Sequence, residues 1–130
     1  MPNGARSTAK GMRQRLSTDQ LYRKMNRLMR EKKLYLKKDL TRADVAREAM
    51  TNRTYISRAL KGRGLNFAQF VNAYRVEHAL ELLFEKENAG LSREDIAEMS
   101  GFSCADAMNR HIKKSAGSTA CALRERVNGD

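Results

Sequence analysis

Most of the chemistry open to this chain of 130 residues comes from cationic side chains. Lysine and arginine together number 26, against 15 aspartates and glutamates, so the formal net charge is +11. A surface of this charge attracts polyanions, which makes nucleic acid the leading class of partner and an anionic membrane face the second. Residues 1–38 carry 12 basic and 2 acidic side chains. The basic surface is therefore expected mainly in the first half of the chain.

The residues that serve as nucleophiles or metal ligands do not form a recognisable site. Cys104 and Cys121 lie 17 residues apart, and neither has a metal-ligand spacing to His78 or His111. This pattern is typical of reduced thiols in a reducing compartment. Cys104 could sense oxidants from the start of a helix, although an inert thiol is the simpler interpretation. No arrangement of nucleophile, base and oxyanion donors can be assembled, so we predict no enzyme, no metal and no cofactor.

No apolar run approaches the roughly 18 residues of a membrane span, and the basic N-terminus lacks the apolar stretch of a signal peptide. We therefore expect a cytoplasmic location and no membrane contact by this segment. Residues 1–16 are basic with few apolar side chains and predict a disordered arm. This arm either touches DNA or serves as an interdomain linker.

Three helices are predicted in the following segment, residues 17–65. Ser17 and Gln20 have capping-box spacing at the start of a helix that ends near Lys32. Thr41 stands three residues before Asp44 and begins a short helix that ends near Met50. Asn52 caps a third helix over 53–61. Two short helices joined by a tight turn indicate a helix-turn-helix unit.

The second half predicts a long helix followed by a similar unit. The long helix starts at Asn66 and runs to about Lys86, so residues 66–86 form a linker. In residues 87–130, Ser92 caps a helix through Met99, Ser103 with Asp106 caps one through about Ser115, and a last helix covers about 118–127. The predicted fold is all-α, with about seven helices and two helix-turn-helix subdomains joined by a long linker helix.

An internal repeat supports this division. Asp44-Val45-Ala46 matches Asp95-Ile96-Ala97 at an offset of 51 residues, and Arg58 and Lys61 match Arg110 and Lys113 at an offset of 52. The linker of about 20 residues would be roughly 30 Å long. One turn of B-DNA is about 34 Å. A rigid linker of this length could place two recognition helices in successive major grooves without a dimer.

These residues resemble the C-terminal DNA-binding domain of the AraC/XylS family of bacterial transcription regulators. The resemblance covers about Leu21 to Arg124 and is carried by DVAREAMTNRTYISRALK, NFAQFVNAYRVEHALELL, DIAEMSGFS and NRHIKKSAGST. It implies two helix-turn-helix subdomains joined by a long helix, with the exposed positions of each recognition helix meeting bases.

The resemblance assigns DNA-contacting residues to both units. In the first unit they are Arg53, Thr54, Ser57 and Arg58, with Lys61 at a phosphate. In the second unit they are Ala105, Asp106, Asn109 and Arg110, with Ser103 ahead of them and Lys113 at a phosphate. Arg58 is the strongest candidate for a base contact, because arginine can bond guanine O6 and N7 together.

The departures from the family pattern lie in the second unit. The family has an aromatic pair where Met108 and Ile112 stand, Thr-Pro at Thr119-Ala120, and an aromatic where Leu123 stands. Ala105 offers no hydrogen bond, and Asp106 would repel phosphate unless it accepts from a cytosine amino group or caps its helix. We therefore expect the first unit to read bases and the second to hold mainly the DNA backbone.

The predicted function is sequence-specific binding of double-stranded DNA in transcription regulation. Family members contact RNA polymerase and commonly carry an N-terminal sensor domain, which this chain does not show. Two alternatives remain open: a non-specific nucleic-acid-binding protein, and a degenerate protein-interaction module.

Overall fold

The structure is a computed structural model that describes residues 16–116. Within this range all regular elements are helical. The helices are α1 (Thr18–Lys32), α2 (Arg42–Ala49), α3 (Arg53–Lys61), α4 (Phe67–Phe84), α5 (Arg93–Met99) and α6 (Ala105–Ala116), with short 3₁₀ turns at Leu34–Leu36 and Lys86–Asn88. The all-α prediction and its six helices in this range are confirmed. The predicted arm, apart from Leu16, and the predicted last helix lie outside the described residues.

Local side-chain caps account for most helix starts. Ser17, Thr41 and Ser92 each accept from the backbone N–H three residues on, while the residue there bonds back to the cap, so α1, α2 and α5 all begin with capping boxes. The Asn52 side chain accepts from Tyr55 N at 3.0 Å and starts α3. These caps confirm the predicted starts.

The predicted cap at Ser103 is wrong. Helix α6 begins at Ala105, and the N–H of Met108 donates to the carbonyl of Cys104 at 3.1 Å, so Cys104 occupies the capping position. In the turn before α6, the N–H of Phe102 donates to Ala97 O at 2.9 Å, and the Phe102 side chain is only 2% exposed.

The described residues form two compact units. Unit 1 comprises residues 16–34 and 40–70, and unit 2 comprises 35–39 and 71–116. The core of unit 1 lies between α1, α2 and α3, where Met25 and Met29 are fully buried. The Tyr22 ring packs against Phe70 at 5.8 Å between centroids. Burial of this apolar surface stabilises the unit, because each fully buried large side chain contributes about 1.5–3 kcal/mol.

Unit 2 has its own core between α4, α5 and α6. Its buried residues are Val76, Ala79, Leu83, Ile96, Ala97, Phe102, Met108 and Ile112. Met108 and Ile112 are completely buried, so aliphatic side chains fill the core positions where the family has its aromatic pair. Among the helices of residues 16–116, none is long and apolar enough to cross a membrane.

The helix-turn-helix turns of the two units reach a left-handed backbone with different residues. Met50 ends α2 with φ 60° and a side chain that is 55% exposed. At the equivalent position 51 residues on, Gly101 has φ 89°. A Cβ on Gly101 would lie 2.3 Å from the carbonyl oxygen of Tyr35, so the second turn requires glycine for space as well as for conformation.

Candidate nucleic-acid interface

The exposed face of α3 forms one side of an open groove of about 410 Å³ in unit 1. All five residues predicted as DNA contacts in this unit line the groove together with one that was not predicted. The lining residues are Arg42, Arg53, Thr54, Ser57, Arg58 and Lys61. The groove therefore brings together four cations and two hydroxyl groups.

Arg42 is the residue that sequence reasoning missed. It is the first residue of α2, and its Nη1 donates to Ser57 Oγ at 3.4 Å. The internal repeat contained a signal for it, because Arg93 stands 51 residues later at the first position of α5. Arg42 therefore extends the predicted contact surface from α3 onto α2.

The groove cations differ from several other exposed arginines of unit 1 in whether they form an ion pair with an acid. Arg23 and Arg63 both contact Asp19, and Arg47 contacts Asp44 at 2.9 Å. By contrast, within residues 16–116 no acid forms an ion pair with a groove cation. The positive charge of the groove is therefore not neutralised locally and is available to an external anion.

An aromatic ring orients Arg58, the strongest candidate for a base contact. The Arg58 guanidinium carbon lies 5.5 Å from the centroid of the half-buried Tyr55 ring, within the range of a cation–π contact. This contact restricts the side chain while leaving it exposed on α3. Tyr55 thus supports Arg58 as well as flanking the core.

The surface around the start of α6 has a different charge. An open cleft of about 330 Å³ includes Glu94, Glu98 and Asp106 in its lining, with Lys38 as its one cation, and Lys38 Nζ lies 3.7 Å from Glu98. Ser103 also lines this cleft, and its side chain is exposed. The N-terminal end of the second recognition helix is therefore acidic.

The remaining predicted contacts of unit 2 lie along α6. Asp106, Arg110 and Lys113 are exposed, and Asn109 is half-buried. Ala105 is only 6% exposed and shares the buried face of α6 with Met108, so its prediction as an exposed contact position is wrong. Ala105 lies three residues before Met108 and seven before Ile112, and this helical spacing places it on the buried face.

Arg75 is a second residue whose role sequence reasoning missed. Its Nε donates to Tyr35 O at 2.7 Å, and its Nη2 donates to Lys37 O at 2.6 Å. Burial lowers the pKa of Arg75 from its usual value. This guanidinium fixes residues 35–38 against α4 within unit 2.

The two histidines each contact an aromatic side chain. His78 Nδ1 lies 3.3 Å from Tyr35 Oη, and the His111 ring stacks on Phe102 with centroids 5.7 Å apart. Burial, reinforced by nearby cations, lowers the pKa of His111. Cys104 is exposed and forms no disulfide with any of the described residues. In the part of the chain described, no three His, Cys, Asp or Glu side chains cluster as a metal site would require.

Two successive helix-turn-helix units, one with an open cationic groove on its second helix, define a DNA-binding domain. A family model described as a helix-turn-helix domain matches residues 45–126, well over half of the chain. The chain belongs to this family, and its resemblance to the DNA-binding domain of AraC-type transcription regulators is confirmed. Proteins of this family and fold are regulators and not enzymes.

Several solved structures share this fold. The C-terminal domain of AraT, a response regulator from Geobacillus stearothermophilus, is 27% identical with a TM-score of 0.70, covering 86% of this chain and 88% of its own. A DNA-binding transcriptional dual regulator from Escherichia coli K-12 is 16% identical with a TM-score of 0.73, covering 85% and 94%. The DNA-binding domain of AdpA, a global transcriptional factor solved with a target DNA, is 21% identical with a TM-score of 0.68, covering 83% and 93%. Among proteins of curated function, none matches this sequence.

Proposed function

We propose that this protein regulates transcription by binding specific DNA sites, with α3 reading bases in the major groove. The observation that carries the proposal is the groove of cations on the exposed face of α3, none of which forms an ion pair with an acid among residues 16–116. Arg58 bonds guanine O6 and N7, Arg53 and Thr54 contact neighbouring bases, and Lys61 contacts a phosphate. Lysine and arginine contacts to phosphates supply most of the affinity.

Unit 2 contributes mainly to holding the DNA backbone. Asn109, Arg110 and Lys113 contact phosphate or sugar, whereas the acidic cleft around Asp106 disfavours close approach of phosphates. Helix α4 has 18 residues and is therefore about 27 Å long. A helix of this length suits a monomer that inserts α3 and α6 into successive major grooves.

The proposal extends to two protein partners. A promoter-bound regulator of this kind contacts RNA polymerase, and a sensor domain preceding this segment would control it. The matched AraT segment is the C-terminal domain of a response regulator, which supports the second part.

The experiment starts with selection of bound sequences from a random duplex library, followed by competition with scrambled duplex and single-stranded RNA. A selected consensus that outcompetes both supports specific binding. Equal competition by scrambled duplex or RNA indicates a non-specific nucleic-acid binder, and absence of binding indicates a protein-interaction module.

Variants then test the assigned roles on the selected site and on scrambled duplex at one salt concentration. Arg58→Ala should cost about 1–3 kcal/mol on the selected site and relax the preference at one or two base pairs. Asn109→Ala and Lys113→Ala should weaken binding evenly on both duplexes. Arg27→Ala on α1 is the matched control, since it removes one exposed charge outside the groove. If Asn109→Ala abolishes the preference while Arg58→Ala preserves it, the roles are reversed.

A further inference from the structure

The contact between Arg42 and Ser57 joins the two helices of the first helix-turn-helix unit at the groove. Arg42 is exposed on α2, Ser57 is half-buried on α3, and Arg42 Nη1 donates to Ser57 Oγ at 3.4 Å. A guanidinium carries five N–H donors, and a serine hydroxyl that accepts one bond still has its own O–H to donate. Both side chains thus retain donors at the groove and have no acidic partner among residues 16–116.

We propose that Arg42 and Ser57 form a clamp for a single phosphate of the DNA backbone. A non-bridging phosphate oxygen accepts from the remaining Arg42 donors and from the Ser57 hydroxyl. This inference rests on the proposed function, because it requires α3 to enter the major groove beside the clamp. It also reassigns Ser57, which the family resemblance places at a base.

The positions of the two residues favour phosphate over a base. In helix-turn-helix proteins the first helix crosses the backbone while the second lies in the groove. Arg42 begins the first helix, and its bond to Ser57 holds that hydroxyl towards α2. The clamp therefore fixes the register of α3 on the duplex and leaves base discrimination to Arg58 and its neighbours.

The first test measures affinity for the selected site and for scrambled duplex across a salt series, using the full chain. Arg42→Ala should weaken binding on the order of tenfold on both duplexes, as expected for a charged hydrogen bond. It should also reduce the slope of log affinity against log salt by about 0.9, the value for one phosphate. Ser57→Ala should weaken both duplexes equally with an unchanged slope.

Two further variants separate the clamp from a general charge effect. Arg47→Ala removes the same charge from the same helix, but Arg47 pairs with Asp44 outside the groove and should leave affinity and slope nearly unchanged. The double variant Arg42→Ala/Ser57→Ala should lose less affinity than the product of the two single losses, because both contacts serve one phosphate. Circular dichroism confirms that each variant remains folded.

A scan with neutral methylphosphonates identifies the phosphate itself. Replacing the clamped phosphate should weaken binding of the unaltered protein, weaken binding of Arg42→Ala and of Ser57→Ala less, and have no further effect on the double variant Arg42→Ala/Ser57→Ala. A reduced effect in both single variants at the same single position supports the clamp. The clamp is overturned if the effect is reduced at different positions or at none, or if Arg42→Ala changes the sequence preference. Failure of the proposed function looks different, since the unaltered protein would then show no selected site.

Discussion

Replacing Gly101 by alanine should destabilise unit 2 strongly. The added Cβ would lie 2.3 Å from Tyr35 O, the atom that accepts from Arg75 Nε at 2.7 Å, and 3.1 Å from Arg75 Nε itself. Because Tyr35 O belongs to the backbone and not to a side chain, it cannot rotate out of the way of the added Cβ. Forcing extra volume into a packed site costs about 1–3 kcal/mol, and a left-handed backbone costs a non-glycine residue about 1–2 kcal/mol. The expected loss is about 2–5 kcal/mol.

Met50→Gly provides the matched comparison at the equivalent turn of unit 1. Met50 is already left-handed, at φ 60°, and its side chain is exposed, so its removal relieves conformational strain and leaves no cavity. The relief is about 1–2 kcal/mol, against about 0.5–1 kcal/mol for the greater freedom of glycine when unfolded. The net change should be a gain of about 0–1.5 kcal/mol.

Amide hydrogen exchange measures both variants residue by residue. Gly101→Ala should lower the protection of α5 and α6 by an amount that matches the expected loss, while Met50→Gly should leave α2 and α3 at least as protected as before. If Gly101→Ala changes the stability of unit 2 by less than 1 kcal/mol, the argument from close approach to Tyr35 is refuted.

The remaining predictions concern salt, capping and pH. If 6 to 10 phosphates are neutralised, affinity for a duplex of about 20 base pairs should fall roughly 10³- to 10⁵-fold between 50 and 200 mM salt, and a flat titration would exclude a phosphate-dominated interface. Thr41→Ala removes the cap of α2 and should cost about 1 kcal/mol in urea unfolding, and an unchanged midpoint would count against the cap. Burial, then Arg110, Lys114 and Arg75, lower the pKa of His111 below its ordinary 6.5. As the pH falls, the unfolded chain therefore binds a proton at His111 before the folded chain does, so the free energy of unfolding should decrease as the pH falls through 6.5. His111→Gln should flatten this pH dependence. An equal slope in that variant would contradict the prediction.

The features that sequence reasoning predicted well are local. A capping box joins residues three apart, so the starts at Ser17, Thr41 and Ser92 need no knowledge of the rest of the fold. The groove residues of α3 follow from helical spacing in the same way, because positions three and four apart share a face. Their local clustering in the structure follows from the same periodicity.

The features that were missed depend on contacts distant in sequence. Arg75 bonds a carbonyl 40 residues away, and Gly101 is required by the backbone of Tyr35. Arg42 reaches Ser57 across a turn whose geometry sets their distance. Ala105 was misplaced because the repeat equates it with the exposed Arg53, whereas its spacing of three residues from Met108 and seven from Ile112 places it on the buried face of α6.

Asp106 tests whether the acidic start of α6 opposes DNA. At the equivalent position of α3, 52 residues earlier, stands the neutral Thr54. Asp106 is exposed and shares its cleft with Glu94 and Glu98, so a phosphate approaching this end of α6 meets like charge. Asp106→Asn should therefore strengthen binding about two- to threefold on selected and scrambled duplexes alike, with a smaller effect at high salt as screening increases. Glu77→Gln, on α4, removes an exposed acid outside this cleft and serves as the control. If Asp106→Asn instead weakens binding on the selected site alone, the carboxylate accepts a hydrogen bond from a base, and unit 2 also reads sequence.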